Sequence, residues 1–192
     1  MTGLPLFPLR TVLFPGGLLP LRIFETRYVD MVGRCLREDA PFGVVLIVEG
    51  AEVGAVGELA GVGCGARIVD FQQLPGGLLG LMCRGEKRFR LQQRHTAPDG
   101  LHVGTVEWLA EAPDVPLSAE QQSLGRVLRR VVDEYGELQR FLQPDFEHAA
   151  WVSYRFAELL PLSREQQQSL LEIDAPAERL RRLAPLIQTI DA

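Results

Sequence analysis

Few residues in this sequence have the type to do covalent or acid–base chemistry, and their spacing keeps them apart. A single lysine, Lys87, stands against 19 arginines. It cannot belong to a phosphate-cradling Gly-x-x-x-x-Gly-Lys loop, because Glu86 precedes it and Arg88 follows it. A Ser–Lys hydrolase would need Lys87 as its base. The serines, Ser118, Ser123, Ser153, Ser163 and Ser169, all come later in the chain, and two of them read as helix caps. Cys35, Cys64 and Cys83 form no Cys-x-x-Cys pair, and their odd number suits neither a zinc knuckle nor a disulfide framework. Cys35 falls on an apolar helix face, where a thiol is a small hydrophobe rather than a nucleophile. His95 and His102 flank the polar turn Pro98-Asp99-Gly100 and read as a solvated hairpin tip, while His148 begins a helix. No His-x-x-x-His spacing is present. The expectation is a protein with no catalytic residue, no metal and no cofactor.

Binding residues are the alternative, and two groups stand out. Arg84, Arg88, Arg90 and Arg94 fall close together, and on an extended strand Arg88, Arg90 and Arg94 share a face opposite Phe89 and Leu91. Such alternation is what a half-buried strand shows, and it would also serve as an anion or RNA contact. The other group is apolar and sits at turns. Phe14 and Leu18 flank Pro15-Gly16-Gly17, and Leu74 and Leu78 flank Pro75-Gly76-Gly77. If the two turns converge at one rim, these four side chains form a surface for apolar peptide segments. Otherwise they plug the end of the β half.

Glycine and proline divide the elements that would position these groups. Seventeen of the 19 glycines precede Gly125. The change in composition coincides with Ala112-Pro-Asp-Val-Pro-Leu117. Residues 1–112 read as a β half, 113–117 as a proline-containing connector, and 118–192 as a helical half. In the β half, Leu4–Leu9, Leu18–Phe24, Phe42–Val48, Arg67–Leu74, Leu78–Arg84, Phe89–Gln93 and His102–Leu109 have strand character. Tyr28, Met31, Val32, Cys35 and Leu36 recur with helical period. The reading is a mostly antiparallel sheet of about six strands, curled into a barrel, with one inserted helix. In the helical half, Ser118-x-x-Gln121 and Ser163-x-x-Gln166 are capping boxes. They bracket a long helix to about Leu142 and another from about Glu147 to Leu160. A last helix, capped by Asp174, presents Leu180, Leu183, Leu186, Ile187 and Ile190, with Pro185 expected to kink it.

Composition narrows the partners. An apolar fraction of 46% with 23% charged residues is globular rather than disordered. A net charge of −5 disfavours bulk attraction to nucleic acid or an anionic membrane. The prolines at Pro5, Pro8, Pro15 and Pro20, with no early positive charge, do not make a signal peptide, and no apolar stretch reaches the ~20 residues of a spanning helix. A cytoplasmic location is the expectation.

The opening Leu4-Pro-Leu-Phe-Pro-Leu-Arg10, Val12-Leu-Phe-Pro-Gly16, Leu19-Pro-Leu21, Ile23-Phe-Glu25 and Arg27-Tyr28 resembles the start of the Lon protease N-terminal (LON substrate-binding) domain family. Val62-Gly-Cys-Gly-Ala-Arg-Ile68, the strand through Arg84–Phe89 and Leu159-Leu-Pro-Leu162 continue the resemblance to about Leu183. It implies an α+β fold: a PUA-like β pseudo-barrel followed by a C-terminal α-helical bundle. It also implies a recognition role, for unfolded or exposed apolar protein segments or a protein partner, adaptor- or holdase-like in protein quality control. With the sequence read to Ala192, the expectation is a free-standing member without the ATPase and peptidase that follow this domain in Lon proteases. The rival reading is an RNA- or anion-binding PUA-like domain using the Arg84–Arg94 strand. The sequence does not give the oligomeric state.

Overall fold

Proline and glycine set where the strands of the first half stop and how closely they approach. The computed structural model describes residues 3–50 and 57–188, in two compact units, Met1–Leu109 and Ala110–Ala192. The first contains β1 (Leu4–Leu9), β2 (Leu18–Ile23), α1 (Thr26–Glu38), β3 (Phe42–Leu46), β4 (Val62–Gln73), β5 (Leu79–Thr96) and β6 (His102–Trp108). The strands form one six-stranded sheet in the order β2-β5-β4-β3-β1-β6, and a further β5–β6 pairing joins strands distant in that order. Strands β5, β4, β3, β1 and β6 therefore close a hydrogen-bonded ring, with β2 lying along the first half of β5. All pairings are antiparallel except β1 with β3. That parallel pair needs a long crossover, which β2 and α1 supply.

Every residue of β3 is buried, as a continuous apolar run implies. β4 and β5 meet at Pro75–Gly77, where Gly76 and Gly77 take positive φ that a larger residue would resist. The two strands predicted on either side of Gly85 are one continuous β5, because the irregularities that interrupt the pattern are local register shifts and not turns. One core cluster joins Phe7, Leu9, Leu13, Phe42, Val44, Leu81 and Leu101 to Tyr28, Met31, Val32 and Cys35 of α1. Leu36, assigned by period to the same face, is 39% exposed. Fully buried Phe89 fits because Gly43 and Gly63 leave room; a Cβ at either would collide with its ring.

The second unit contains α2 (Gln122–Asp133), α3 (Ala149–Leu159), α4 (Arg164–Leu171) and α5 (Pro176–Gln188). The long helix expected to reach Leu142 ends at Asp133, and a 3-10 helix over Gly136–Phe141 begins at Gly136, whose positive φ breaks the α geometry. The capping box at Ser163 is complete: Ser163 Oγ accepts from Gln166 N and Gln166 accepts from Ser163 N. The one expected at Ser118 is half formed. Gln121 Oε1 accepts from Ser118 N at 3.1 Å, yet α2 starts at Gln122, with Gln121 at its cap and no side-chain cap bond. Residues 114–117 run extended beside 147–149, through Leu117 N to Glu147 O and Ala149 N to Val115 O. Nearly all of α3 is buried, including Trp151, Tyr154 and Phe156. In α5, Leu180, Leu183 and Ile187 are buried and Leu186 is 39% exposed; Pro185 lies inside the helix, and Ile190 is outside the described residues. No helix among the described residues is long and apolar enough to cross a membrane.

Candidate functional site

The four turn residues expected to share a rim do not meet. Phe14 is fully buried, and its carbonyl accepts from Gly17 N at 3.0 Å. Leu18, Leu74 and Leu78 are half-buried. Along the β2–β5 ladder Leu18 faces Arg84 and Ile23 faces Leu79, whereas Gln73 faces Leu79 across β4–β5. The Pro75 turn therefore adjoins the Ile23 end of β2, and Phe14 and Leu18 lie at the other, ~17 Å away at ~3.4 Å per residue. Proline and glycine identify both turns, but the register that separates them is a tertiary property.

The arginine strand also divides. Arg88 is fully buried beside fully buried Phe89, so it does not share an outer, solvated face with its neighbours. Arg84 is half-buried; Arg90 and Arg94 are exposed. Arg90 pairs with Glu107 and Arg94 with Gly104, across a register shift between Leu91 and Gln93. Positions 104 and 107 of β6 point to opposite faces, so the extra residue puts Arg90 and Arg94 on opposite sides. Arg94 donates to the Gly57 carbonyl. Lys87 is exposed on β5.

Cys35, Cys64 and Cys83 are buried free thiols; burial pushes Cys83 up to about 12 and raises Cys35. His102 belongs to β6 rather than to a solvated tip, is 8% exposed and pairs with Leu6. Its Nδ1 lies 3.2 Å from Thr96 Oγ1. Burial, then the charges of Arg94 and Arg27, hold its pKa below the ordinary histidine value. His148 precedes α3, and its bond to Asp145 raises its pKa. Among the described residues no cluster of three His, Cys, Asp or Glu could hold a metal.

An apolar groove of about 210 Å³ does open in the first unit, between two strands that do not pair with each other. Its walls are Phe7–Leu9 of β1 and Pro20–Ile23 of β2, and it is closed by Phe24, Glu25 and Tyr28 of the passage into α1. β2 pairs only with β5, and Pro20 has no N–H to offer a partner, as befits an edge strand. The ring of Phe7 stacks on Tyr28 at 4.1 Å and gives the groove a rigid floor. At its rim Phe24 is 66% exposed, the largest exposure of any big apolar side chain among the described residues. Glu25 is held by Arg27 at 2.6 Å, and Arg27 in turn donates to the Gly100 carbonyl at 2.8 Å and lies 4.8 Å over the Tyr28 ring. The groove is more apolar than polar, and its lining includes Arg22 and the Glu25 carboxylate held by Arg27. It suits binding better than catalysis. None of these lining residues was singled out as a site by spacing, although Pro8 and Pro20, in runs that otherwise read as strands, signal backbone that cannot pair in full.

The described residues thus form a two-unit α+β protein with a groove on its sheet unit. The chain belongs to the ATP-dependent protease La (LON) substrate-binding domain family, whose model matches residues 3–189. It is 41% identical to the Lon N-terminal domain protein from Xanthomonas campestris, with a TM-score of 0.78, covering 96% of this chain and 98% of that one. The N-terminal domain of the Mycobacterium avium complex Lon protease shares the fold, at 19% identity and a TM-score of 0.65, covering 96% and 97%. Lon protease 1 of Syntrophobacter fumaroxidans is 26% identical over 191 residues, which is 94% of this chain and 23% of that protein. Lon protease of Escherichia coli is 24% identical over 195 residues, 97% of this chain and 24% of that protein. The chain thus spans about a quarter of the length of these Lon proteases, in their N-terminal part.

Proposed function

We propose that this chain is a non-catalytic recognition module that holds exposed apolar segments of other proteins in the groove between β1 and β2, as an adaptor or holdase in cytoplasmic protein quality control. The carrying observation is the exposed Phe24 ring at the mouth of an apolar groove. Membership of the substrate-binding family supports the reading, and the closed ring of strands fits a PUA-like pseudo-barrel. Burying one such aromatic yields ~1.5–3 kcal/mol, and two or three apolar contacts in a rigid groove suffice for micromolar capture. An RNA or anion contact on the Arg84–Arg94 strand has less support, with Arg88 buried and Arg90 and Arg94 on opposite faces.

The test is Phe24→Asp, measured by fluorescence anisotropy against a permanently unfolded carboxymethylated protein. Binding should weaken on the order of tenfold or more, and the melting temperature should stay within a few degrees because the ring is already in water. Unchanged binding by a folded Phe24→Asp protein would remove the groove as the site.

A further inference from the structure

The helical unit has a cleft that the groove reading does not use. It encloses about 400 Å³ between α2 and the extended segments at Pro116–Leu117 and Phe146–Glu147. Gly125 brings α2 against the second segment: a Cβ there would collide with the Phe146 carbonyl. The apolar lining is Pro116, Leu117 and the Phe146 ring, which meets Trp151 edge-on at 4.9 Å. Arg126 and Arg129, neighbours on the helix surface, stand over it, and the Arg129 guanidinium lies 4.4 Å above the Phe146 ring. Both are exposed, and neither forms an ion pair among the described residues. Glu147 is the lining's one carboxylate, so two cations face one anion in a chain of net charge −5.

We propose that this cleft binds a short protein segment in which an acidic residue stands beside an aromatic or large aliphatic one. The apolar side chain lies against Leu117 and Phe146, and the carboxylate is taken by Arg126 and Arg129. Three features converge on that ligand. A guanidinium placed over an aromatic face still has N–H groups directed outward in its own plane to donate to a carboxylate. The uncompensated positive charge selects an anion, while the apolar lining gains nothing from a bare phosphate or a nucleic-acid backbone. Leu117 N to Glu147 O and Ala149 N to Val115 O, at 2.8 and 2.9 Å, hold the floor in place before binding, so little ordering entropy is lost.

The experiment is anisotropy with the intact protein and a fluorescein-labelled peptide, Ser-Gly-Asp-Phe-Glu-Leu-Gly-Ser. Two control peptides replace the acids by lysine, or the Phe and Leu by serine. Arg126→Glu with Arg129→Glu should weaken binding on the order of tenfold, and both control peptides should bind correspondingly less. The lysine peptide keeps the Phe and Leu that an apolar groove would hold, so its weaker binding separates the cleft from the groove in the other unit. Arg126→Gln, which leaves the stack on Phe146 intact, serves if the double variant melts early, and it should weaken binding a few-fold. The proposal is overturned if the acidic peptide does not bind, if either control binds as well, if millimolar inorganic phosphate displaces it, or if folded variants retain full affinity.

Discussion

The guanidinium of Arg179 lies 3.7 Å from the ring centroid of Tyr154, fully buried, and its N–H groups are used in three directions. They donate to the Leu170 carbonyl at 3.1 Å, to Ser153 Oγ at 2.8 Å and to the Ile173 carbonyl at 2.7 Å. One side chain of α5 thus donates to a carbonyl in the last turn of α4, to another just beyond its C-terminal end and to Ser153 of α3, adding donors where a helix end lacks intrahelical ones.

Replacing Arg179 by Met should therefore destabilise the protein by about 3 kcal/mol or more, because buried acceptors lose charged donors together. Arg179→Lys should recover only part of this, since an ammonium cannot reproduce the planar fork. Urea unfolding of the three proteins measures it; equal midpoints would mean that the three bonds add nothing net.

Phe14 and Gly85 should behave as structural residues. Gly16 N donates to Gly85 O and Gly85 N donates to Gly17 O, both at 2.8 Å, and a Cβ on Gly85 would collide with the Phe14 carbonyl. Phe14→Ala is expected to cost about 3–5 kcal/mol, and Gly85→Ala should also lower the melting temperature clearly. Circular dichroism melts decide this, with Phe24→Asp as the surface control. A Phe14→Ala protein that melts like the original would mean that the side chain is not the plug its burial indicates.

His102 sets a pH dependence of known sign. Its folded pKa is depressed, so the folded protein binds fewer protons at this site than the unfolded chain. The contribution is fully present above the unfolded value near 6.5 and is lost as pH falls through the folded value. The difference in stability between the original protein and His102→Gln should therefore narrow from pH 7.5 to pH 5. Thermal melts across that range would show parallel curves if His102 does not titrate differently in the two states.

All three cysteines should be inert in the native protein. Their exposures are 5%, 0% and 0%, and the Cys83 thiol, pushed up to about 12, is protonated at pH 8. Ellman's reagent should find no fast-reacting thiol in the native state and three in guanidinium. One thiol reacting at the denatured rate in the native protein would contradict the burial.

Several elements were legible because their signals are local. The period of Tyr28, Met31, Val32 and Cys35 fixes one face of α1, the apolar run at Phe42–Leu46 gives a strand buried on every residue, and Ser163 with Gln166 forms its capping box. At Gly136 a second local signal competes and wins: positive φ ends the α geometry that apolar periodicity alone continues toward Leu142. At Ser118 the same four-residue pattern as at Ser163 produces half a box, since α2 begins only at Gln122.

The sequence alone thus determined the composition boundary, the strands and helices with strong periodicity, the Pro75–Gly77 turn and the family resemblance. Each of these depends on residues within a few positions of one another. Tertiary structure decided that β5 pairs with three strands, that the Pro15 and Pro75 turns lie at opposite ends of β2, and that Arg88 is buried while Arg90 and Arg94 part company. It also decided that Phe7, Pro20, Phe24 and Tyr28 line one groove. Alternation along a strand tells which residues share a face. Register, bulges and the element covering that face depend on pairings tens of residues apart, and those follow from closing the ring as a whole.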